Sequence, residues 1–499
     1  MLEERKEDKM KMYHENERMK RNYSLLADEY EYTMACGYLG SQKENEMAVF
    51  DVFFRKVPNQ GGYAIMAGLD KVISYIENLK FGEEELDYFR RNGYPQEFVE
   101  YLKNFKFTGS IYAIPDGTPV FPNEPLITIV APTIQAQIIE TAILSIVNGA
   151  MEHATGARRV IEATPKDVAV LEFGSRRADG PEAAIDASIY GIMAGCRATS
   201  NVMAANMLDT KGLGTMAHSW VEAFPSEYEA FLAYACKFPG NCTLLVDTYD
   251  TIASGIPNAI RTFQFMKEHG LPIEHIGIRI DSGDLAYLSK YAREMLNKAG
   301  FPQATICLSN GLNAQTIESL VAQGACFDTL GVGDNISKPE GRMGCVYKLV
   351  ALQEKGIWVP KIKLSNDSIK IVNPDYKNLY RAYSKNDNYA IADIITRKEN
   401  PLKNDTVTVV DLKDPLKRKE LRNFELKELQ IPIFIQGNLV YDDPDIWEKQ
   451  RYCNEQMSLL YEEHKRTLMP ETYYVDGTEE YVNFKNDFIT KTRKLVCKR

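Results

Sequence analysis

Two short stretches of the sequence carry residue types that can handle an anion. In the first, Arg176 and Arg177 follow an apolar run and a glycine, and a helix is predicted to begin near Pro181. Guanidinium groups bind phosphate or carboxylate through paired hydrogen bonds, and a helix N-terminus adds backbone N–H donors. In the second, Thr215 and His218 lie in a glycine-bearing segment. A histidine beside hydroxyl and carboxyl side chains can act as a nucleophile or a general base.

Each stretch also has a purely structural interpretation. One arginine of the pair could instead neutralise a structural carboxylate, and a lone histidine in an apolar context is often a hydrogen-bonded core residue. The glycines beside the arginines favour the anion site. For His218, the neighbouring Thr215, Ser219 and Glu222 favour chemistry over packing.

Further along the chain, Asp281 and Asp284 place two carboxylates in one turn. Such a pair could hold Mg²⁺ through its water molecules or accept hydrogen bonds from ribose hydroxyls, whereas Asp284 alone could simply cap a helix. Arg279 lies on the same face as Asp281 if the preceding strand persists. Glycine-bearing strand ends could cradle a phosphate with backbone N–H groups; their residues are Ser309, Asn310 and Gly311, followed by Gly333 and Asp334.

These residues follow a regular series of apolar runs separated by amphipathic helical stretches. The runs cover residues 168–173, 243–246, 276–280, 305–308, 329–332 and 346–352. Alternating strands and helices predict an α/β fold with parallel strands, and both a doubly wound sheet and a β/α barrel fit the pattern. In either fold the carboxyl ends of the strands meet on one face, which is where active sites lie.

The same pattern predicts the domain organisation. A charged extension covers residues 1–22, an α+β domain 23–150 and a β/α catalytic domain 151–352. Residues 353–499 form a smaller β-rich and helical portion, which we expect to pack partly on the N-terminal domain. In the α+β domain, Tyr30 lies on a predicted helix as a core or interface residue, and Arg55 ends a predicted strand as a solvated edge or part of an anion site.

The net charge of −10 and pI near 5.4 argue against general affinity for nucleic acid or anionic membranes. No run of about 18 apolar residues predicts a membrane span, and no apolar secretory region is present. The nine cysteines form no C-x-x-C pair, so free thiols in a reducing compartment are expected. These features predict a cytoplasmic protein whose phosphate sites are local.

Taken together, the stretches resemble the nicotinate phosphoribosyltransferase family of type II phosphoribosyltransferases, over about residues 23 to 490. The resemblance rests on the order and spacing of LADEYEYTM (26–34), VFDVFFRK (49–56), EFGSRRA (172–178), GTMAHS (214–219), LVDTYD (245–250), RIDSGDL (279–285) and GVG (331–333). It implies an irregular β/α barrel with an N-terminal α+β domain and a smaller C-terminal portion.

The resemblance also implies the reaction. Nicotinate, phosphoribosyl pyrophosphate and ATP would give nicotinate mononucleotide, pyrophosphate, ADP and phosphate, with Mg²⁺ held through the substrate. By resemblance, ATP phosphorylates His218, Tyr30 stacks near the nicotinate ring, and Thr215 and Arg279 contact nicotinate. Asp334 and its glycine neighbours would lie near the ribose 5-phosphate. Family members are expected to be homodimers in which one subunit's N-terminal domain completes the other's site.

Three rival interpretations remain on sequence grounds. A nicotinamide phosphoribosyltransferase is disfavoured, because such relatives lack the Arg176-Arg177 pair and the Gly-Thr-x-Ala-His segment. A quinolinate phosphoribosyltransferase is shorter and uses no phosphorylated histidine. A catalytically inactive nucleotide-binding barrel is disfavoured by intact His218, Arg176, Asp281 and Asp284.

Overall fold

The computed structural model describes residues 22–364, 371–403 and 406–496, which form parts of two compact units. Unit 1 comprises Met1–Glu152 and Gly341–Arg499, and unit 2 comprises His153–Glu340. The α+β and C-terminal portions delineated in the sequence therefore share unit 1. The charged extension at 1–22 lies outside the described residues, apart from Asn22.

The N-terminal segment of unit 1 contains helices and strands that alternate irregularly. The helices are α1 (Glu29–Tyr38), α2 (Leu69–Asn78), α3 (Glu83–Arg91), α4 (Gln96–Lys103), α5 (Thr133–Gln137) and α6 (Glu140–Glu162), within which unit 1 ends. The strands are β1 (Met47–Phe53), β2 (Ala64–Ile65), β3 (Ser110–Ala113), β4 (Pro119–Val120) and β5 (Ile127–Pro132).

Unit 2 is built on parallel strands with helices between them. Its strands are β6 (Ala169–Glu172), β7 (Ala198–Thr199), β8 (Cys242–Leu245), β9 (Ile276–Ile280), β10 (Thr305–Ser309) and β11 (Thr329–Val332). Its helices are α7 (Pro181–Met193), α8 (Val202–Met207), α9 (His218–Glu222), α10 (Glu227–Lys237), α11 (Ile256–Glu268), α12 (Leu285–Lys298), α13 (Ala314–Ala322) and α14 (Asp334–Ser337).

The strand order decides between the two folds that the sequence left open. The sheet runs β7-β6-β11-β10-β9-β8, and every pairing in it is parallel. Strands adjacent in sequence are neighbours, and the last strand, β11, returns to pair with the first, β6. This is the circular order of a β/α barrel interrupted between β7 and β8, and not the order of a doubly wound sheet. The α/β class with an irregular barrel is confirmed.

The C-terminal segment completes unit 1. Its strands are β12 (Val346–Glu354), β13 (Ile357–Pro360), β14 (Lys377–Ser384), β15 (Ala390–Arg397), β16 (Thr406–Asp411), β17 (Arg418–Arg422), β18 (Phe424–Glu428), β19 (Ile431–Ile435), β20 (Asn438–Leu439) and β21 (Val475–Thr478). Its helices are α15 (Ile446–Ser458), α16 (Glu462–Lys465) and α17 (Glu479–Val496).

Two segments distant in the chain share one sheet in unit 1. The sheet has the order β13-β12-β1-β5-β3-β19-β20, and β12 pairs antiparallel with β1. Strand β12, grouped above with the catalytic domain, therefore belongs to the sheet of unit 1. A buried ion pair of 2.7 Å between Asp51 and Lys377 also joins the two segments. A second sheet has the order β17-β16-β21-β15-β14-β18.

The helical stretch Thr133–Glu162, which begins in unit 1 and extends past its boundary at Glu152, is long and apolar enough to cross a membrane by length and composition. Of its most apolar window, 67% is buried inside the protein, as in the core helix of a globular protein. A single such helix is weak evidence of a membrane span, because core helices pass the same test.

The buried carboxyl group of Glu31 ties α1 to α6. Its Oε1 accepts hydrogen bonds from the backbone N–H groups of Asp28 and Thr141, both at 3.2 Å, and from the Thr141 hydroxyl. Its Oε2 is buried with no hydrogen-bond partner. Burial raises the pKa of Glu31 to about 7, because the ionised form loses its hydration.

This raised pKa makes the stability of the protein depend on pH. Between the ordinary value of 4.5 and about 7, the folded state binds a proton that the unfolded state has released, so the free energy of unfolding falls as pH rises through that window. We expect Glu31→Gln to reduce this loss, measured by urea unfolding at pH 5 and pH 8. Glu77→Gln, at an exposed position of α2, is the control and should leave the loss of stability with rising pH unchanged.

Candidate active site at the carboxyl ends of the parallel strands

A cavity of about 280 Å³ lies at the carboxyl ends of the strands in unit 2. Side chains that follow separate strands converge on it, because parallel strands end on the same face. Arg176 follows β6, Ser200 follows β7, and Arg279 and Asp281 flank the end of β9. The chain between β7 and β8, where the barrel is interrupted, contributes Thr215 and His218.

Arg279 is the centre of a hydrogen-bond network in this cavity. Its Nε donates to Ser309 Oγ at 2.8 Å, its Nη1 to Thr215 Oγ1 at 3.1 Å, and its Nη2 to Asp281 Oδ1 at 2.9 Å. The guanidinium carbon lies 5.4 Å from the centre of the Phe173 ring. A guanidinium has five N–H donors. With three donating to protein atoms, two remain to meet an anion.

The carboxylate of Asp281 is fixed from two sides. It accepts a hydrogen bond from the Ser309 hydroxyl, and its own backbone N–H donates to Asp247 Oδ2 at 2.9 Å. Asp247 also accepts from the Ser282 hydroxyl at 2.6 Å, while its Oδ1 is buried with no hydrogen-bond partner. Asp247 was not among the predicted site residues. Its place two residues after β8 was the sequence signal that could have identified it.

His218 is the first residue of α9 and is half-buried at the cavity wall. Its Nδ1 lies 3.1 Å from the hydroxyl oxygen of Thr248, a residue that the predicted site also omitted. This contact orients the ring and leaves Nε2 as the nitrogen available for chemistry. The structure therefore places His218 in one cavity with Arg176, Thr215 and Arg279.

The two predicted arginines have different surroundings. Arg176 lines the cavity, whereas Arg177 lies 3.4 Å from the carboxylate of Asp334. Both partners of that pair are more than 60% exposed, so it contributes little to stability. Gly174 allows this turn to pack closely, since a Cβ there would come within 2.6 Å of the Gly333 carbonyl oxygen.

The buried carboxylate of Glu172 stabilises the turn that follows β6. It accepts hydrogen bonds from the hydroxyls of Ser188 at 2.8 Å and Thr199 at 2.6 Å, and from the backbone N–H of Gly174. This network joins the end of β6 to α7 and β7. It fixes the backbone from which Arg176 projects.

The glycine-bearing turn after β10 has an unusual backbone. Asn310 and Gly311 have φ values of 87° and 60°, so two successive residues adopt the left-handed conformation. Asn335 Nδ2 donates to the Leu312 carbonyl oxygen at 2.8 Å and ties this turn to the one after β11. The two predicted phosphate-cradling turns are thus held together, and Gly333 directly precedes α14.

Asp284 acts as a helix cap in the structure. Its carboxylate accepts a hydrogen bond of 2.9 Å from the Tyr287 backbone N–H and caps α12. The side chain is outside the set that lines the cavity. Among the described residues, no group of three or more His, Cys, Asp or Glu side chains is arranged to hold a metal ion.

Tyr30 and Arg55 belong to unit 1, not to the unit that forms the cavity. Tyr30 is 44% exposed on α1, and burial together with the Glu140 carboxylate raises its pKa. Arg55 follows β1, with its guanidinium carbon 5.6 Å from the centre of the Phe53 ring. Its Nε is buried with no hydrogen-bond partner.

Comparison with known proteins identifies the family. The chain matches the family models for the nicotinate phosphoribosyltransferase (NAPRTase) N-terminal domain over residues 25–148, the NAPRTase family over 168–384 and the C-terminal domain over 376–485. It is 42% identical over 461 residues to the nicotinate phosphoribosyltransferase of Bacillus subtilis (strain 168), covering 92% of this chain and 93% of the relative. The chain belongs to the nicotinate phosphoribosyltransferase family.

Other members of the family support the same assignment. The nicotinate phosphoribosyltransferase of Caenorhabditis elegans is 35% identical over 525 residues, covering 92% of each protein. The crystal structure of human nicotinic acid phosphoribosyltransferase matches with a TM-score of 0.80 and 26% identity, covering 93% of this chain and 99% of that chain. The resemblance inferred from the sequence motifs is confirmed.

Proposed function

We propose that this member of the nicotinate phosphoribosyltransferase family transfers the 5-phosphoribosyl group of phosphoribosyl pyrophosphate to nicotinate. The products are nicotinate mononucleotide and pyrophosphate, and the reaction serves NAD salvage in the cytoplasm. The observation that carries this proposal is the cavity in which Arg279, with two free N–H donors, lies beside Thr215 and close to His218. A cation with a neighbouring hydroxyl suits the carboxylate of nicotinate.

The transfer requires positioning and charge stabilisation more than covalent catalysis. The bond from the ribose anomeric carbon to pyrophosphate breaks, and the nicotinate ring nitrogen forms the new bond to that carbon. Positive charge develops on the ribose while negative charge grows on the leaving group, so a fixed cation near pyrophosphate lowers the barrier. Arg176 supplies that cation, Arg279 holds nicotinate, and the turns at Ser309–Gly311 and Gly333 hold phosphate by backbone N–H groups.

ATP enters the proposal through His218. The Nε2 atom accepts the γ-phosphoryl group of ATP, and ADP leaves. Phosphorylation adds a doubly charged group close to Arg176, so it changes the field that substrates meet in the cavity. Hydrolysis of the phosphohistidine then releases phosphate. Thr248, which contacts Nδ1, keeps Nε2 directed for this step.

Mg²⁺ is proposed to bind together with the leaving pyrophosphate. When bound, it neutralises the charge of the diphosphate. The donor set suits a hard cation that keeps its water, since Asp281 and Asp247 supply carboxylate oxygens and one of these, Asp247 Oδ1, is buried without a partner. Asp284 offers its second oxygen only from an exposed helix cap.

The subunit arrangement is also a proposal. We expect a homodimer in which Tyr30 and Arg55 of one subunit complete the site of the other. The exposure of Tyr30 supports it, because its side chain has capacity for a ligand or a neighbour.

One assay separates this function from its rivals. Purified protein receives phosphoribosyl pyrophosphate with nicotinate, nicotinamide or quinolinate, with and without ATP, and mononucleotide is quantified by chromatography. We expect product from nicotinate, with ATP increasing the rate. Product from nicotinamide or quinolinate in place of nicotinate would overturn the substrate assignment, and no product from any of them would indicate an inactive barrel.

A further inference from the structure

A second cavity, of about 250 Å³, lies in unit 1. The segment after β4, the segment leading into β14, the turn after β16 and helix α17 form its walls. Its polar lining consists of cationic and amide side chains, namely Asn123, Asn373, Lys413, Lys485, Asn486 and Arg493. The described residues that line it include no carboxylate.

Lys485 is the most deeply placed of these groups. It is only 5% exposed, and its Nζ donates to Asn373 Oδ1 at 2.7 Å and to the Leu412 carbonyl oxygen at 2.9 Å. Both acceptors are neutral. An ammonium group has three N–H donors, so one remains for another acceptor. A buried lysine is ordinarily paired with a carboxylate, because burial removes the hydration of its charge.

The charges around Lys485 make its ionised form still less stable. Burial, together with the nearby positive charges of Lys413 and Lys377, lowers the pKa of Lys485 to about 8. Asp411 acts in the opposite direction, but its carboxylate accepts hydrogen bonds from the backbone N–H groups of Lys413 and Asp414, at 2.7 and 2.8 Å. The cavity thus concentrates positive charge that no lining residue neutralises.

We propose that this cavity binds a small phosphoryl oxyanion, of the class of inorganic phosphate or pyrophosphate. Lys413, Lys485 and Arg493 provide three positive charges around one space, which suits an anion of charge −2 or greater better than a single carboxylate. The amide side chains of Asn123 and Asn486 add N–H donors. The volume of about 250 Å³ admits an inorganic anion.

The cavity and the candidate active site are formed by different residues. All its lining residues belong to unit 1, whereas the residues around Arg279 belong to unit 2. Anion binding here does not depend on the reaction proposed above. It is a second site on the same chain, and it can be tested by binding alone.

The test measures how many anions each chain binds. Radiolabelled inorganic phosphate and pyrophosphate are titrated separately by equilibrium dialysis against the full-length protein and the double variant Lys413→Gln/Arg493→Gln. Both substituted side chains are exposed, so folding should be preserved. The control Lys491→Gln/Lys494→Gln removes the same charge from exposed positions of α17 that do not line the cavity.

We expect the cavity variant to bind anion at one site with at least tenfold weaker affinity. The affinity of the control should not change. Arg279→Met should leave that site unchanged, which distinguishes it from binding in unit 2. The two titrations show which anion the cavity prefers. Equal binding by the cavity variant, the control and the unmodified protein would overturn the proposal, and so would an equal loss in both variants.

A third variant probes the buried group directly. Lys485→Met removes the buried charge and its unmet donor, so phosphate or pyrophosphate should no longer raise the melting temperature through this site. If Lys485→Met unfolds, the exposed double variant alone decides the question. A folded Lys485→Met protein with undiminished stabilisation by both anions would contradict the proposal.

Discussion

Replacing Arg279 with methionine is expected to lower kcat/KM for nicotinate by about 10²- to 10⁴-fold. The side chain is only 14% exposed and holds Thr215, Asp281 and Ser309 in place through its three donors. Methionine fills similar space but provides no cation for the carboxylate of nicotinate, and it leaves Asp281 without its ion partner. Because charged hydrogen bonds are each worth about 1.5–3 kcal/mol, losing two of them accounts for this range.

The kinetic pattern of this variant distinguishes binding from general damage. KM for nicotinate should rise more than KM for phosphoribosyl pyrophosphate, and Arg279→Lys should recover part of the loss by restoring charge without the planar fork. Arg197→Met serves as the matched control, since Arg197 is exposed and directly precedes β7. It therefore lies at the amino end of a strand, whereas the cavity lies at the carboxyl ends. A nicotinate KM within a fewfold of that of the unmodified protein would show that another cation holds the carboxylate.

Much of the site could be predicted because parallel strands bring their carboxyl ends together. Arg176 is far in sequence from Arg279 and Asp281, yet each of the three lies at or beside a strand end, and all three line one cavity. Thr215 and His218 needed the family resemblance as well, because they lie on the irregular chain between β7 and β8. Local pattern indicates the strands, but it does not indicate that this insertion returns to the barrel opening.

What the sequence could not provide is the choice of partners between polar groups. Asp284 was grouped with Asp281 as a catalytic carboxylate, while in the structure it caps α12. Asp247 and Thr248 were not among the predicted site residues, yet they contact the backbone of Asp281 and the ring of His218. Turn chemistry and site chemistry use the same residue types, so only geometry separates them.

The sheet of unit 1 shows a similar limit for the fold. Strand β12 continues the apolar rhythm of the barrel strands in sequence, so the sequence pattern alone groups it with them. In the structure it pairs antiparallel with β1, nearly 300 residues earlier in the chain. Hydrophobic period identifies a strand, but the partner of a strand depends on long-range packing that period does not encode.

The second large effect is expected for His218→Asn, which should abolish stimulation by ATP and retain ATP-independent synthesis. Asparagine has no ring nitrogen to carry a phosphoryl group, but its amide can still form a hydrogen bond with the Thr248 hydroxyl. If the energetic coupling lies in the usual range of about 1–3 kcal/mol, ATP stimulation should fall by about 5- to 150-fold. Initial rates with and without ATP measure this ratio directly.

Label transfer tests the chemical step itself. Incubation with γ-³²P-labelled ATP should give an acid-labile, alkali-stable phosphoprotein in the unmodified enzyme and none in His218→Asn. His269→Asn is the matched control, because His269 is an exposed histidine of unit 2 that stacks on Phe265 and should remain without effect. Undiminished ATP stimulation in His218→Asn would mean that ATP acts elsewhere. Loss of all synthesis in a folded His218→Asn protein would instead make this histidine part of the transfer step.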